Sequence, residues 1–176
     1  MLFRPKYTID SIYNLNPQQL KKMGIKAIFS DLDNTLIAWN KKDSVQEMTD
    51  FNNRLKKVGI RLVVISNNNN ERVGKVLNPN RINFIAKARK PLPIGIDHAL
   101  KKYNLRKSQV LMVGDQLITD IQAGNLAGVK TVLVKPLVTT DKWNTRINRF
   151  FERGIFFVLA LHKPIKFKGN LDDGRN

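Results

Sequence analysis

The sequence of 176 residues contains no cysteine. That excludes disulfides and thiolate metal sites, and it suits a reducing compartment. Acidic residues are scarce: 14 Asp and Glu stand against 31 Lys and Arg, a formal charge of +17. A surface so basic attracts anions, whether phosphorylated ligands, nucleic acid or an anionic membrane. Long apolar runs are missing too. The longest, "IFFVLAL" at 155–161, falls far short of the roughly 20 residues that span a bilayer. The opening "MLFRPKYTIDSIYNLNP" lacks the apolar core of a signal peptide, so neither a secretory leader nor a transmembrane segment is expected. No G-x-x-x-x-G-K-[ST] occurs, which removes a P-loop.

What is present is a 42% hydrophobic content spread in regular runs, the mark of a folded chain. "IKAIFSDLD", "IRLVVISN", "INFIAKA", "VLMVGD" and "KTVLVKPL" read as five buried strands. Between them lie helical stretches. Val45, Met48, Phe51, Leu55 and Val58 recur at spacings of three and four and stop at Gly59. Further helices are expected from about Glu71, over Ile94–Tyr103, and over Thr119–Leu126 before Gly128. Strand and helix in alternation predict an α/β fold, a five-stranded, mostly parallel sheet with helices on both faces.

In such sheets ligands gather beyond the carboxyl ends of the strands, and the unusual polar clusters fall there. Asp31 and Asp33 follow the first strand; residues i and i+2 of an extended chain point the same way. Two carboxylates that close need a cation between them, and hard oxygen ligands favour Mg²⁺. One could act as nucleophile and the other as proton shuttle. A lone D-x-D also serves nucleotide–metal binding in glycosyltransferases, or is simply a turn. Ser66-Asn67 after the second strand offers a hydroxyl and free N–H groups to phosphate, although Ser-Asn is also an ordinary helix cap. Lys90, fixed by Pro91, supplies a cation, a part that Lys87 or Arg89 could equally take. Asp115 ends the fourth strand, placed to complete a metal's oxygen shell. Asp120 supports it or caps the next helix.

Taken together, "DLDNTL", "VVISN", the Lys of "KP" and "GDQLITD" resemble the four motifs of the haloacid dehalogenase (HAD) superfamily, over residues 24 to 137. The motif wording, short length and basic tail look most like its YqeG-type subfamily IIIA phosphatases. These are similar to the mitochondrial phosphatidylglycerophosphate phosphatase. The resemblance implies a Rossmann-like HAD fold and a Mg²⁺-dependent phosphomonoester hydrolase. Asp31 would be the nucleophile that becomes an aspartyl-phosphate, and Asp33 the general acid and base. Thr35, Ser66, Asn67 and Lys90 would hold the phosphoryl group. Mg²⁺ would be bound by Asp31, Asp33 (through its carbonyl) and Asp115, with Asp120 in support. A receiver domain would carry its phosphorylated Asp at the end of the third strand, where this chain has "AKARKP", so that reading fails.

The intervals Asp33 to Ser66 and Ser66 to Lys90 each hold one helix and one strand, too little for a cap domain. An uncapped site suits a large or membrane-presented phosphate. Three regions are expected: a basic N-terminal extension (1–24) packed on the core, the phosphatase core (25–138), and a basic amphipathic helix and tail (139–176). In that tail Trp143, Ile147, Phe150 and Phe151 share a stripe, with Lys142, Arg146, Arg149 and Arg153 filling the rest. Such a helix either lies in a membrane interface or packs on its own domain. The expected partner is a phosphorylated substrate such as an anionic lipid, met at the cytoplasmic face of the inner membrane through peripheral contact by 142–168. The alternative is a nucleic-acid- or ribosome-associated protein whose phosphatase site is secondary; the charge supports it, but no RNA-binding signature such as an RRM is found.

Overall fold

The computed structural model describes residues 2–38 and 43–138, together with residues 167, 169 and 171. The expected amphipathic helix of the tail, and most of the 142–168 segment, lie outside the described residues. Among the described residues, six strands form one sheet: β1 (Tyr7–Ile9), β2 (Ala27–Ser30), β3 (Arg61–Ile65), β4 (Asn83–Ile85), β5 (Val110–Gly114) and β6 (Lys130–Val134). Five α-helices of the described residues accompany them: α1 (Pro17–Lys22), α2 (Ser44–Lys57), α3 (Asn70–Leu77), α4 (Ile94–Lys102) and α5 (Gln122–Ala127). The order across the sheet is β1-β6-β5-β2-β3-β4, and every pairing is parallel.

The α/β reading therefore holds, with six strands where the sequence suggests five, and a sheet that is wholly parallel. The extra strand comes from the N-terminal segment. Tyr7, Thr8 and Ile9 lie in register with Val132, Leu133 and Val134 of β6. Three residues with a polar one in the middle give too short a pattern to read as a strand; the edge of β6 supplies what the segment lacks.

Strand alternation sorts the core into two layers. Ile28, Leu62, Val64, Leu111, Val113 and Val132 point to one face, where Leu20 of α1, Met48, Phe51 and Leu55 of α2, and Val73 and Leu77 of α3 cover them. Phe29, Val63, Ile65, Val110 and Met112 point to the other, under Ile96 and Ala99 of α4 and Ala123 and Ala127 of α5. Nearly all of these side chains are fully buried, each worth about 1.5–3 kcal/mol for the larger aliphatic and aromatic groups. Of the four helices expected after the first strand, three appear within a residue or so of their predicted bounds; the fourth, expected over Thr119–Leu126, is α5, which begins at Gln122 after a π-helical stretch over Leu117–Ile121.

Local chemistry sets the ends. Asn16 accepts from the N–H groups of Gln18 and Gln19 at the start of α1, with Pro17 in its first turn. Gly128, at φ 75°, closes α5 in the left-handed conformation. Two residues of the far C-terminal segment rest on this domain. Leu171 is buried in the α1–α3 layer and its carbonyl accepts from Gln19, and Phe167 packs against the Leu117, Ile121 and Leu133 cluster.

The chain runs from β2 to β3 and β4 on one side, then crosses to β5 and β6 on the other. The reversal lies between β2 and β5. In a doubly wound sheet the crevice beyond the strand ends at that point is the natural ligand site.

Candidate active site

Asp31 leaves β2 at this reversal, and its N–H still donates to the carbonyl of Val113 on β5 (3.0 Å). Asp115 leaves β5 directly opposite. The chain after Asp31 then turns tightly. Asn34 adopts φ 65°, a conformation Asn tolerates better than most residues. Its N–H donates to the Ile37 carbonyl, while Leu36 and Ile37 both donate to Leu32. The "DNTL" wording is thus a turn that returns the chain to the site, and it buries Thr35 so that its hydroxyl donates to Asp115 Oδ1 (3.2 Å).

A short stretch of π-helical backbone from Leu117 to Ile121 brings Asp120 beneath the crevice. Its closeness depends on Gly114: a Cβ there would lie 2.3 Å from the Asp120 carboxyl group. Asp120 does not cap the following helix. It is buried, with Oδ2 accepting from the Gln116 N–H (3.1 Å) and Oδ1 from Lys90. Side-chain oxygens of Asp31, Asp115 and Asp120 lie within 4.8 Å of one another.

Of the three basic neighbours, Lys90 is the one bonded to the acidic cluster among the described residues. Its ammonium donates to Asp31 Oδ1 (2.6 Å) and Asp120 Oδ1 (2.7 Å), and its side chain is only 3% exposed. Lys87 and Arg89 are exposed. The main chain of Lys90 is clamped by Asn67, whose amide accepts from the Lys90 N–H (2.8 Å) and donates to its carbonyl (2.9 Å). The oxygen and one N–H of the Asn67 amide thereby position the lysine, and its second N–H and its backbone are the groups left to approach a phosphate. Ser66 is buried, its Oγ accepting from the Asn68 backbone and side chain (3.2 and 3.3 Å).

Asp33 stands apart from the acidic cluster. Asn68 donates to its Oδ2 (2.8 Å), and Arg72, in the first turn of α3, donates to its Oδ1 (2.9 Å). Arg72 also donates to Asn68 Oδ1 (3.2 Å). Sequence reasoning missed both partners. The only hint was a run of four asparagines after the second strand, followed by an arginine at the start of the next helix.

The electrostatics follow from three carboxylates facing one ammonium. Burial pushes the Asp31 carboxyl up, Lys90 draws it back and Asp120 and Asp33 add to the rise, leaving it at about 6. Burial likewise holds Asp115 well above the usual carboxylate range, with Asp120 and Asp31 adding to the effect. For Lys90 burial acts downward, but Asp120 and Asp31 outweigh it and hold the ammonium charged. One lysine leaves an excess of buried negative charge, which suits a hard divalent cation. All three carboxylates could offer an oxygen to an ion; Asp120 is bonded through both its oxygens and also anchors Lys90, whereas Asp31 and Asp115 each have one oxygen without a described hydrogen bond. The structure thus brings together Asp31, Lys90 and Asp120 by hydrogen bonds, and Asp115, held by Thr35, within 4.8 Å of both aspartates. Ser66 and Asn67 flank them, and Asp33 lies on the outer side.

Comparison with known proteins agrees with this geometry. A family model described as HAD-hydrolase-like matches residues 87–150. The Bacillus subtilis (strain 168) protein named probable phosphatase YqeG is 37% identical over 94% of this chain and 96% of its own length. Phosphatidylglycerophosphate phosphatase 1 of Arabidopsis thaliana, chloroplastic/mitochondrial, is 28% identical over 78% of this chain and 42% of its own. A solved Bacteroides fragilis structure described as a haloacid dehalogenase-like hydrolase shares the fold, with a TM-score of 0.50 at 17% identity over 69% of this chain and 93% of that one. The sheet reversal, the carboxylates gathered there and the near full-length similarity make this chain a phosphatase of the HAD superfamily, in its YqeG-type family.

Proposed function

We propose that this phosphatase is a Mg²⁺-dependent phosphomonoesterase that works through an aspartyl-phosphate on Asp31. The observation that carries the reading is the buried cluster itself, in which Lys90 bridges Asp31 and Asp120 while Asp115 stands within ligating distance. When bound by Asp31 and Asp115, Mg²⁺ would neutralise phosphoryl oxygens so that a dianion can approach a carboxylate. An Asp31 oxygen forms a bond to phosphorus while the bond from phosphorus to the ester oxygen breaks. Asp33 gives that departing oxygen its proton. Asp33 then takes a proton from a water that attacks the phosphorus, the bond to Asp31 breaks, and inorganic phosphate leaves. Lys90 offsets the charge of the transferring group. Thr35 keeps Asp115 oriented, and Asn67 keeps Lys90 in place, with backbone N–H groups near Ser66 and Asn67 available to phosphate oxygens.

The substrate we infer is a large or membrane-presented phosphomonoester of the phosphatidylglycerophosphate kind. The similarity to the Arabidopsis phosphatase so named supports it. So does the space between the site segments, which holds α2 and β3, then α3 and β4. The charge of +17 suits peripheral contact with an anionic membrane from the cytoplasm, and no helix among the described residues is long and apolar enough to cross one. In this reading the chain comprises an N-terminal basic extension (1–24) packed on the core, a phosphatase core (25–138) and a basic tail (139–176).

The test is direct. Asp31→Asn should abolish turnover of an aryl phosphate while leaving the circular dichroism spectrum unchanged, and acid-quenched wild type should carry phosphate labelled at Asp31. Full activity of the variant would remove Asp31 from the nucleophile's role. Co-sedimentation with anionic liposomes, set against RNA binding over the same salt series, tests the membrane. RNA binding without liposome binding would turn the reading toward a nucleic-acid partner.

A further inference from the structure

We propose that Arg72 recognises a second anion on the substrate, so that the enzyme prefers phosphomonoesters whose alcohol carries another oxyanion a few bonds from the ester oxygen. This rests on the reading of Asp33 as the group that protonates the leaving oxygen. Whatever lies beside that acid lies beside the alcohol being released. What lies beside it is Arg72, 2.9 Å from Asp33 Oδ1.

Four observations favour recognition over a purely structural role. Arg72 is 47% exposed, so it faces the solvent from which substrate arrives. Its place is fixed at both ends: Asn69 caps α3 by accepting from the Arg72 backbone N–H (2.9 Å), and Asn68 accepts from its guanidinium. The described bonds use two of the five N–H groups of the guanidinium, so it can take up an oxyanion without releasing Asp33. Finally, Lys90 is buried and committed to Asp31 and Asp120, so Arg72 is the other cation bonded to a site aspartate among the described residues. Its planar fork matches phosphate and carboxylate oxygens. A phosphodiester joined to the same short alcohol, as in a glycerophosphate lipid headgroup, has this chemistry, and so does a soluble phosphorylated acid.

Propyl phosphate and 3-phosphooxypropanoate differ by one carboxylate and give the measurement. The wild type with Mg²⁺ should favour the carboxylated compound in kcat/KM by about 10- to 100-fold, the range of one charge-assisted hydrogen bond, with most of the difference in KM. Arg72→Gln should bring that ratio close to one. Arg72→Lys, which keeps the charge but loses the fork, should retain part of it. Equal losses on both compounds in Arg72→Gln would make Arg72 only a support for Asp33 and overturn the proposal, as would a wild type with no preference. Calorimetric binding of the corresponding non-hydrolysable phosphonates reads the same ratio without turnover. Inactivity of the wild type on both compounds and on an aryl phosphate would therefore defeat the phosphatase mechanism while the role of Arg72 is still decided. Phosphatidylglycerophosphate in mixed micelles and its deacylated headgroup form the last pair. A loss in Arg72→Gln on both forms supports direct recognition of the anion. A preference for the lipid that the variant leaves intact places selectivity at the membrane surface and overturns it.

Discussion

Lys90 and Arg72 do opposite jobs within one crevice. Each is a cation paired with an aspartate of the same "DLD" segment, at 2.6 and 2.9 Å. Lys90 sits under the sheet edge with almost no exposure; Arg72 stands half in solvent. A buried ammonium flanked by the buried Asp120 and the half-buried Asp31 is part of the fold as much as of the chemistry, because removing any member strands the others in a poor dielectric. An exposed pair has water as an alternative partner and is worth little to stability. It is correspondingly free to exchange partners with a ligand. Depth therefore separates a group that builds the site from one that can select what enters it.

The sharpest way to break this contrast is Lys90→Met. It leaves Asp31 and Asp120 without their common partner, and Asp120 is only 1% exposed. Urea unfolding at neutral pH without Mg²⁺ should show a loss of about 3–5 kcal/mol, together with loss of aryl phosphatase activity. Adding Asp120→Asn to Lys90→Met should recover part of the stability and none of the activity. A loss below about 1 kcal/mol would mean that water reaches the cluster and that Lys90 is no more structural than Arg72.

A smaller effect is expected from the metal. Burial holds Asp31 near 6 and Asp115 well above the ordinary carboxylate range, so their ionised forms are penalised until a cation arrives. Mg²⁺ at a hundred times its Kd should raise the stability of the wild type by about 2.7 kcal/mol. Asp115→Asn should lose most of that response, whereas Arg72→Gln should keep it, since Arg72 lies on the outer side. Thermal unfolding over a Mg²⁺ series reads both.

Much of this arrangement was legible in the sequence, for reasons that can be named. β2, β3 and β5 are buried on both faces and read as continuous apolar runs. Polar residues that interrupt such runs can only be turn or site residues, which is why Asp31, Ser66 and Asp115 stood out. β1 did not, because a three-residue edge strand takes its identity from β6, more than a hundred residues away. The choice of Lys90 over Lys87 and Arg89 was equally out of reach of local pattern. It depends on Asn67, 23 positions earlier, gripping the lysine main chain. In sequence Asp120 reads either as a support for the metal shell or as a cap, because an aspartate at a helix start is often the latter. It becomes an internal ion-pair partner only because Gly114 leaves room for it. The Asp33–Arg72 pair spans 39 positions and involves two partly exposed groups, for which burial patterning carries no signal at all.

Gly114→Ala tests the depth argument from the backbone side. Its new methyl would meet the Asp120 carboxyl at 2.3 Å, so Asp120 must shift and its hold on Lys90 loosens. We expect a destabilisation of about 1–3 kcal/mol, with kcat falling more than KM changes, because the lysine rather than the substrate entrance is disturbed. A variant as stable and active as wild type would show that the cluster tolerates a displaced Asp120.

The smallest predicted effect sharpens the comparison most. Arg72→Ala should change unfolding free energy by less than about 1 kcal/mol, since both members of its ion pair are at least a third exposed. Salt should weaken what little there is, because exposed charges are screened, whereas the cost of Lys90→Met should hardly respond to salt. Measuring both variants in urea at low and high ionic strength places the two cations on one scale. If Arg72→Ala costs as much as Lys90→Met, Arg72 is a structural member of the cluster whose loss also collapses the position of Asp33. The division between a building cation and a selecting one would then fail.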